Sequence, residues 1–215
     1  MLRNFSLRLI VFGLAFLSFA CLLGQFFGLW SMRLFGCWVL PPATALLAII
    51  AYFQRRAPNN AANAHTWIVQ GALGGIIAAV AYDLYRLPFV LNGAPLFKPF
   101  SRFGQLLLGA DGPEWLVQLL GWAYHFSNGA ALGIMFLAMV VRPNPRLLFW
   151  GAVAWALFVE MMLLLTPYAS FFGLPVNGRF IFLTASAHLI FGLVLGWWCR
   201  RRVGLRYQPQ MARIH

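Results

Sequence analysis

The stretch Gly121–Val140, GWAYHFSNGAALGIMFLAMV, decides how the rest of this chain is read. It has the length and apolar bulk that a membrane-crossing helix needs, about 20 residues, yet it carries a histidine, a serine and an asparagine. Its His125, Gly129 and Gly133 recur further on as His188, Gly192 and Gly196, in the same H-x3-G-x3-G spacing. Residues four apart share one face of a helix. Small side chains on such a face let membrane helices approach closely. The pattern predicts two helices, each with a histidine at the head of a glycine groove, packed against one another along those grooves.

Composition supports the membrane reading. The chain has 215 residues, 62% of them hydrophobic and 9% charged, against the ~25% charge usual in a soluble domain. Mean hydropathy is +0.77. The net charge of +12 does not make a nucleic-acid footprint, because the basic residues fall between apolar runs and at the tail, not along one amphipathic surface. No nucleic-acid partner is expected; membrane lipid is. Cys21, Cys37 and Cys199 form no CxxC pair and read as buried, inert thiols.

Outward from the central stretch, the expected fold is all-α: a polytopic six-transmembrane-helix bundle of the bacterial inner membrane, in one domain over residues 1–199. The spans are placed at about 9–30, 34–53, 67–89, 115–141, 147–166 and 180–199. A basic cytoplasmic tail follows at 200–215, its last dozen residues polar and expected to be disordered. The first run is too long for the ~7–15-residue core of a signal peptide. The second contains Pro41-Pro42, which a bilayer helix tolerates where neighbours satisfy the freed carbonyls. A polar link, Ala57–His65, separates the second and third. The segment 92–113, with its short apolar patch Leu106–Leu108, is too short to span and reads as interfacial or re-entrant. Asp111-Gly112-Pro113-Glu114 reads as the start of the next helix, with Asp111 as its cap and Glu114 three residues on. With the N-terminus inside, eleven of the sixteen Lys and Arg residues fall on the cytoplasmic side, which predicts both termini there.

Only four acidic residues exist, and Asp83 and Glu160 lie inside apolar spans. A charge at bilayer depth costs ~2.5–3.5 kcal/mol even on the lenient insertion scale, so such groups face the bundle interior and a partner. Counting along the helices places Glu160, His125 and His188 in one layer. The spacing adds Asn128 beside His125 and Thr184 one turn before His188. Asp83 and Arg86, three apart, make an ion pair placed nearer the outer surface. The expected site is thus an outward-facing polar pocket lined by His125, Asn128, Glu160, Thr184 and His188, with Asp83 and Arg86 at its mouth.

Such a pocket suits a small-molecule or lipid-related transporter or ligand-binding protein, in which carboxylate and imidazoles change protonation with occupancy. A bis-His haem or metal protein using His125 and His188 is an alternative. So is a membrane enzyme with Glu160 and a histidine as acid and base. Another is a non-catalytic assembly subunit held by the faces of Gly129, Gly133, Gly192 and Gly196. No H-E-x-x-H, G-x-S-x-G or phosphate-loop motif occurs.

Overall fold

The computed structural model describes residues 2–56, 67–109, 111–140 and 144–204. Among them the secondary structure is entirely helical: α1 (Leu2–Phe26), α2 (Met32–Trp38), α3 (Leu40–Arg56), α4 (Trp67–Leu91), α5 (Lys98–Leu108), α6 (Glu114–Met139), α7 (Pro145–Leu165), α8 (Tyr168–Phe171) and α9 (Gly178–Cys199), the last running into a π turn at Arg200–Gly204. The polar link and most of the tail expected beyond 200 lie outside the described residues.

Five segments are long and apolar enough to cross a membrane: Phe5–Phe26, Met32–Gln54, Trp67–Leu91, Pro145–Leu165 and Gly178–Val203. The stretch expected as a span at 115–141 forms a helix, α6, 26 residues long, but it does not reach that apolarity, because His125, Ser127 and Asn128 dilute it. α6 instead packs on α1, α4 and α5. Much of the remaining apolar surface faces outward, including Leu84, Leu91, Trp150 and Phe182, as lipid-facing side chains do.

Several local expectations change. The first helix ends at Phe26, and Gly28 turns the chain at φ +66, a backbone conformation glycine adopts without penalty. The second span divides at Val39: Pro41 and Pro42 fall in the first turn of α3, where their missing N–H groups cost nothing. Asp111 does not cap α6. That helix opens after Pro113 without a side-chain cap, and Glu114 accepts from Gln118 one turn on, at 2.7 Å. Cys37 is exposed, whereas Cys21 and Cys199 are buried.

The largest correction concerns the glycine grooves. The two do not face each other, because α4 lies between α6 and α9. Gly129 and Gly133 of α6 meet Gly75 and Gly71 of α4, antiparallel. A Cβ added at Gly75 would lie 2.0 Å from the Gly129 carbonyl oxygen, and one at Gly133 2.0 Å from that of Gly71. Gly192 and Gly196 face α7 instead, against Val153 and Phe149. Gly71 and Gly75 show the same four-residue spacing in the sequence, with Trp67 where a third histidine would stand.

Arg8 of α1 ties down the far end of α6. Its guanidinium donates to the carbonyls of Leu137 at 2.8 Å, Ala138 at 3.3 Å and Val140 at 2.9 Å, groups that a helix end leaves without intrahelical donors. A cation there also complements the negative end of the helix dipole. Arg8→Ala is expected to cost about 1–2 kcal/mol and to accelerate amide exchange in the last turn of α6, read by hydrogen-exchange mass spectrometry. Exchange at wild-type rates would show that the cap is idle.

Candidate functional site

The ionisable residues singled out in the sequence are brought together near mid-length of the bundle, slightly toward the end that carries α5 and α8. Two carboxylate–imidazole pairs form the site. In the first, Asp83 Oδ1 accepts from the Arg86 guanidinium at 2.5 Å while its Oδ2 meets His125 Nε2 at 2.8 Å. In the second, Glu160 Oε2 meets His188 Nδ1 at 2.9 Å, and Oε1 accepts the Thr184 hydroxyl. Asp83, Arg86, Glu160, Thr184 and His188 are all under one-tenth exposed. Asp83 and Arg86 therefore do not form a separate mouth. The i,i+3 spacing within α4 makes their pair, and the α4–α6 seam presses Asp83 onto His125.

The proton positions follow from the partners. His188 Nδ1 faces both the Glu160 carboxylate and the Thr184 carbonyl, at 3.0 Å, so Nδ1 carries a proton. His125 Nε2 faces a carboxylate and likewise donates. The ring of His125 lies 4.3 Å from that of Phe100 and is flanked by Trp122 and Phe126.

Tyr82 joins the two halves. Its ring lies 4.9 Å from His188, edge-on, and 6.2 Å from His125; the Arg86 guanidinium sits 4.0 Å above it. Phe97 and Phe100, at the start of α5, approach the same cation at 5.0 and 5.3 Å. Tyr82 is not among the site residues expected from the sequence. Its signal as a site residue is the i,i+4 spacing to Arg86, which puts ring and cation on one helical face. Tyr168 of α8 closes the pocket from the side. Burial pushes its hydroxyl above the ordinary tyrosine range, with Tyr82 adding to that and Arg86 opposing it, so it remains a neutral donor.

Asn128 faces a different partner. It accepts from Ser18 of α1 at 2.6 Å, and Tyr124 donates to the Ser18 carbonyl at 2.6 Å, a polar tie between α1 and α6. Asn128 still borders the larger of two cavities beside the ion cluster. That cavity, about 100 Å³, also touches Tyr82, Arg86, His125 and His188. A smaller one of about 30 Å³ lies against Glu160, Thr184, Tyr168 and Arg86.

This geometry bears on the other uses of the residues. For a haem between His125 and His188, the obstacle is the Tyr82 ring, which lies beside both imidazoles, 4.9 Å from His188 and 6.2 Å from His125 between ring centres. Among the described residues no group of three or more His, Cys, Asp or Glu is placed to hold a metal ion. The glycine faces are covered within the chain, so they are not free to bind a partner subunit.

Fold and site together define a class, that of a helical membrane protein with a buried ion cluster at its core. No family model matches this chain, and no curated protein or solved structure matches it with significance.

Proposed function

We propose that this chain is a six-span protein of the bacterial inner membrane, with both termini cytoplasmic and membrane lipid around it, that binds or transports a small molecule in a pocket whose occupancy is coupled to protonation. One observation carries this reading: two carboxylate–imidazole pairs, drawn from α4, α6, α7 and α9, are buried around the same cavities. A purely structural bundle has no use for such an arrangement, since buried ion pairs contribute little net stability once desolvation is counted.

Charge bookkeeping gives the coupling its sign. With both carboxylates ionised, Arg86 charged and both imidazoles neutral, the cluster carries one negative charge. One proton on an imidazole makes it neutral, the cheapest state in a low-dielectric interior. A ligand that brings charge must shift that proton count. The groups bordering the two cavities are Tyr82 and Arg86 from α4, His125 from α6, Glu160 from α7, Tyr168 from α8 and His188 from α9, with Asp83 behind them, bonded to Arg86 and His125.

The test is thermal stabilisation of the detergent-purified protein by a panel of small organic acids, amines and alcohols at pH 5.5 and 8. At least one compound is expected to raise the melting midpoint with a pH dependence that Glu160→Gln removes. Stabilisation by none, or a pH dependence indifferent to Glu160, would end this reading.

A further inference from the structure

We infer that the ligand of this pocket is a short-chain carboxylate, held by Arg86 and admitted past Leu96 and Phe180 from the end of the bundle that carries α5 and α8. The inference rests on the pocket reading above and narrows it. Arg86 is 4% exposed. One terminal nitrogen serves Asp83, the other donates to the Leu96 carbonyl at 3.1 Å, and its Nε has no hydrogen-bond partner among the described residues. A buried donor left unpaired carries its full desolvation penalty. Among the described residues it belongs to the one guanidinium bordering both cavities.

The missing partner is an acceptor, and beside a guanidinium the best acceptor is an anion whose oxygens match the planar fork. A cationic ligand would meet Arg86 head-on. The proton count fixes the charge at one: a monoanion joining the singly protonated, neutral cluster is balanced by a second proton on the other imidazole, whereas a dianion is not. Apart from Asn128 and the two tyrosines, the rest of the larger cavity is apolar, walled by Phe19, Leu22, Leu132, Val159, Leu163 and Phe191. At about 100 Å³ it is smaller than the ~150 Å³ cavity that takes benzene. A monocarboxylate with a short aliphatic body fits both halves.

The way in is marked by shared walls. An outer cavity of about 160 Å³, between Asn92–Leu96 and Pro175–Leu183, includes the exposed Arg179. It shares Leu96 and Phe180 with the smaller inner cavity, which in turn shares Tyr82, Arg86, Leu163, Tyr168 and His188 with the larger. Leu96 and Phe180 are 3% and 7% exposed, a closed apolar gate. Because Arg86 holds the Leu96 carbonyl, the group that receives the carboxylate also latches the gate.

Butyrate, butylamine and 1-butanol separate head-group chemistry from chain length. With the protein in lipid nanodiscs, butyrate is expected to bind, more tightly at pH 5.5 than at pH 8, in equilibrium dialysis and by raised melting midpoint. Arg86→Gln is expected to weaken it at least about tenfold. The double variant Asp83→Asn, Arg86→Gln leaves no buried carboxylate unpaired, so its unchanged fold with equally weak binding isolates the role of Arg86. Leu96→Ala is expected to speed association of labelled butyrate. Equal binding of butylamine or butanol, wild-type butyrate affinity in the double variant, or unchanged association in Leu96→Ala would overturn the inference while leaving a Glu160-dependent pocket standing. Failure of the whole panel to bind would remove both.

Discussion

Gly75→Leu is expected to leave little folded protein, while Gly13→Leu, on the same scale of bulk, is expected to leave the bundle intact. The difference lies in what the new side chain meets. At Gly13 nothing lies within 4 Å of an added Cβ. At Gly75 the Cβ alone falls 2.0 Å from the Gly129 carbonyl oxygen and 2.8 Å from its carbon, and backbone cannot swing aside as a side chain does. α4 and α6 would have to separate along their whole antiparallel seam, because Gly71 and Gly133 are in contact one turn away. Overpacking a core costs ~1–3 kcal/mol where side chains can yield; here the cost sits at or above the top of that range. Prising the seam open also parts Asp83 from His125, so the site fails with the fold. Size-exclusion profiles and thermal unfolding of the two variants check this, with the buried thiols of Cys21 and Cys199 as dye-reactive reporters and the exposed Cys37 replaced by serine. A monodisperse, wild-type-like Gly75→Leu protein would show that the seam is not tight.

The seam also shows where sequence reading stops. Spacing tells which residues share a face, so His125 with Gly129 and Gly133, and Thr184 with His188, were legible. So was the depth argument that put Glu160 level with His188. Which helix each face meets is a property of the whole bundle, and periodicity is silent on it. The echo between two H-x3-G-x3-G helices invited pairing them. Their actual neighbours are α4, whose Gly71 and Gly75 carry the matching spacing without the histidine, and α7, whose face of Ala152, Val153 and Ala156 is small but not glycine-rich. Asp83 was displaced for a related reason: a linear count along each span assumes upright helices with aligned ends. The half-length α5 carries Phe100 down to His125 and α8 tucks Tyr168 against the pocket, contacts that no local pattern encodes.

Asp83→Ala is expected to be the most destabilising single change within the ion cluster, at about 3–5 kcal/mol, and more harmful to the fold than Glu160→Ala. Both remove a buried carboxylate from a histidine. The partners left behind differ. Without Glu160, His188 keeps its bond to the Thr184 carbonyl, and Thr184 has the Phe180 carbonyl at 3.0 Å in reserve. That change should cost nearer 1–2 kcal/mol, the scale of lost hydrogen bonds. Without Asp83, Arg86 remains charged, because a guanidinium does not deprotonate in a protein. Among the described residues, its other hydrogen bond from a terminal nitrogen goes to Leu96. Three aromatic faces soften that charge without neutralising it. The sign of the rescue follows: Asp83→Ala combined with Arg86→Met should recover most of the loss, with a coupling of roughly 0.5–3 kcal/mol in a double-mutant cycle. Thermal unfolding of the four proteins decides it. Additive losses would mean that Asp83 acts through His125 and not through Arg86, and the cluster would then be two independent pairs instead of one charge-balanced unit.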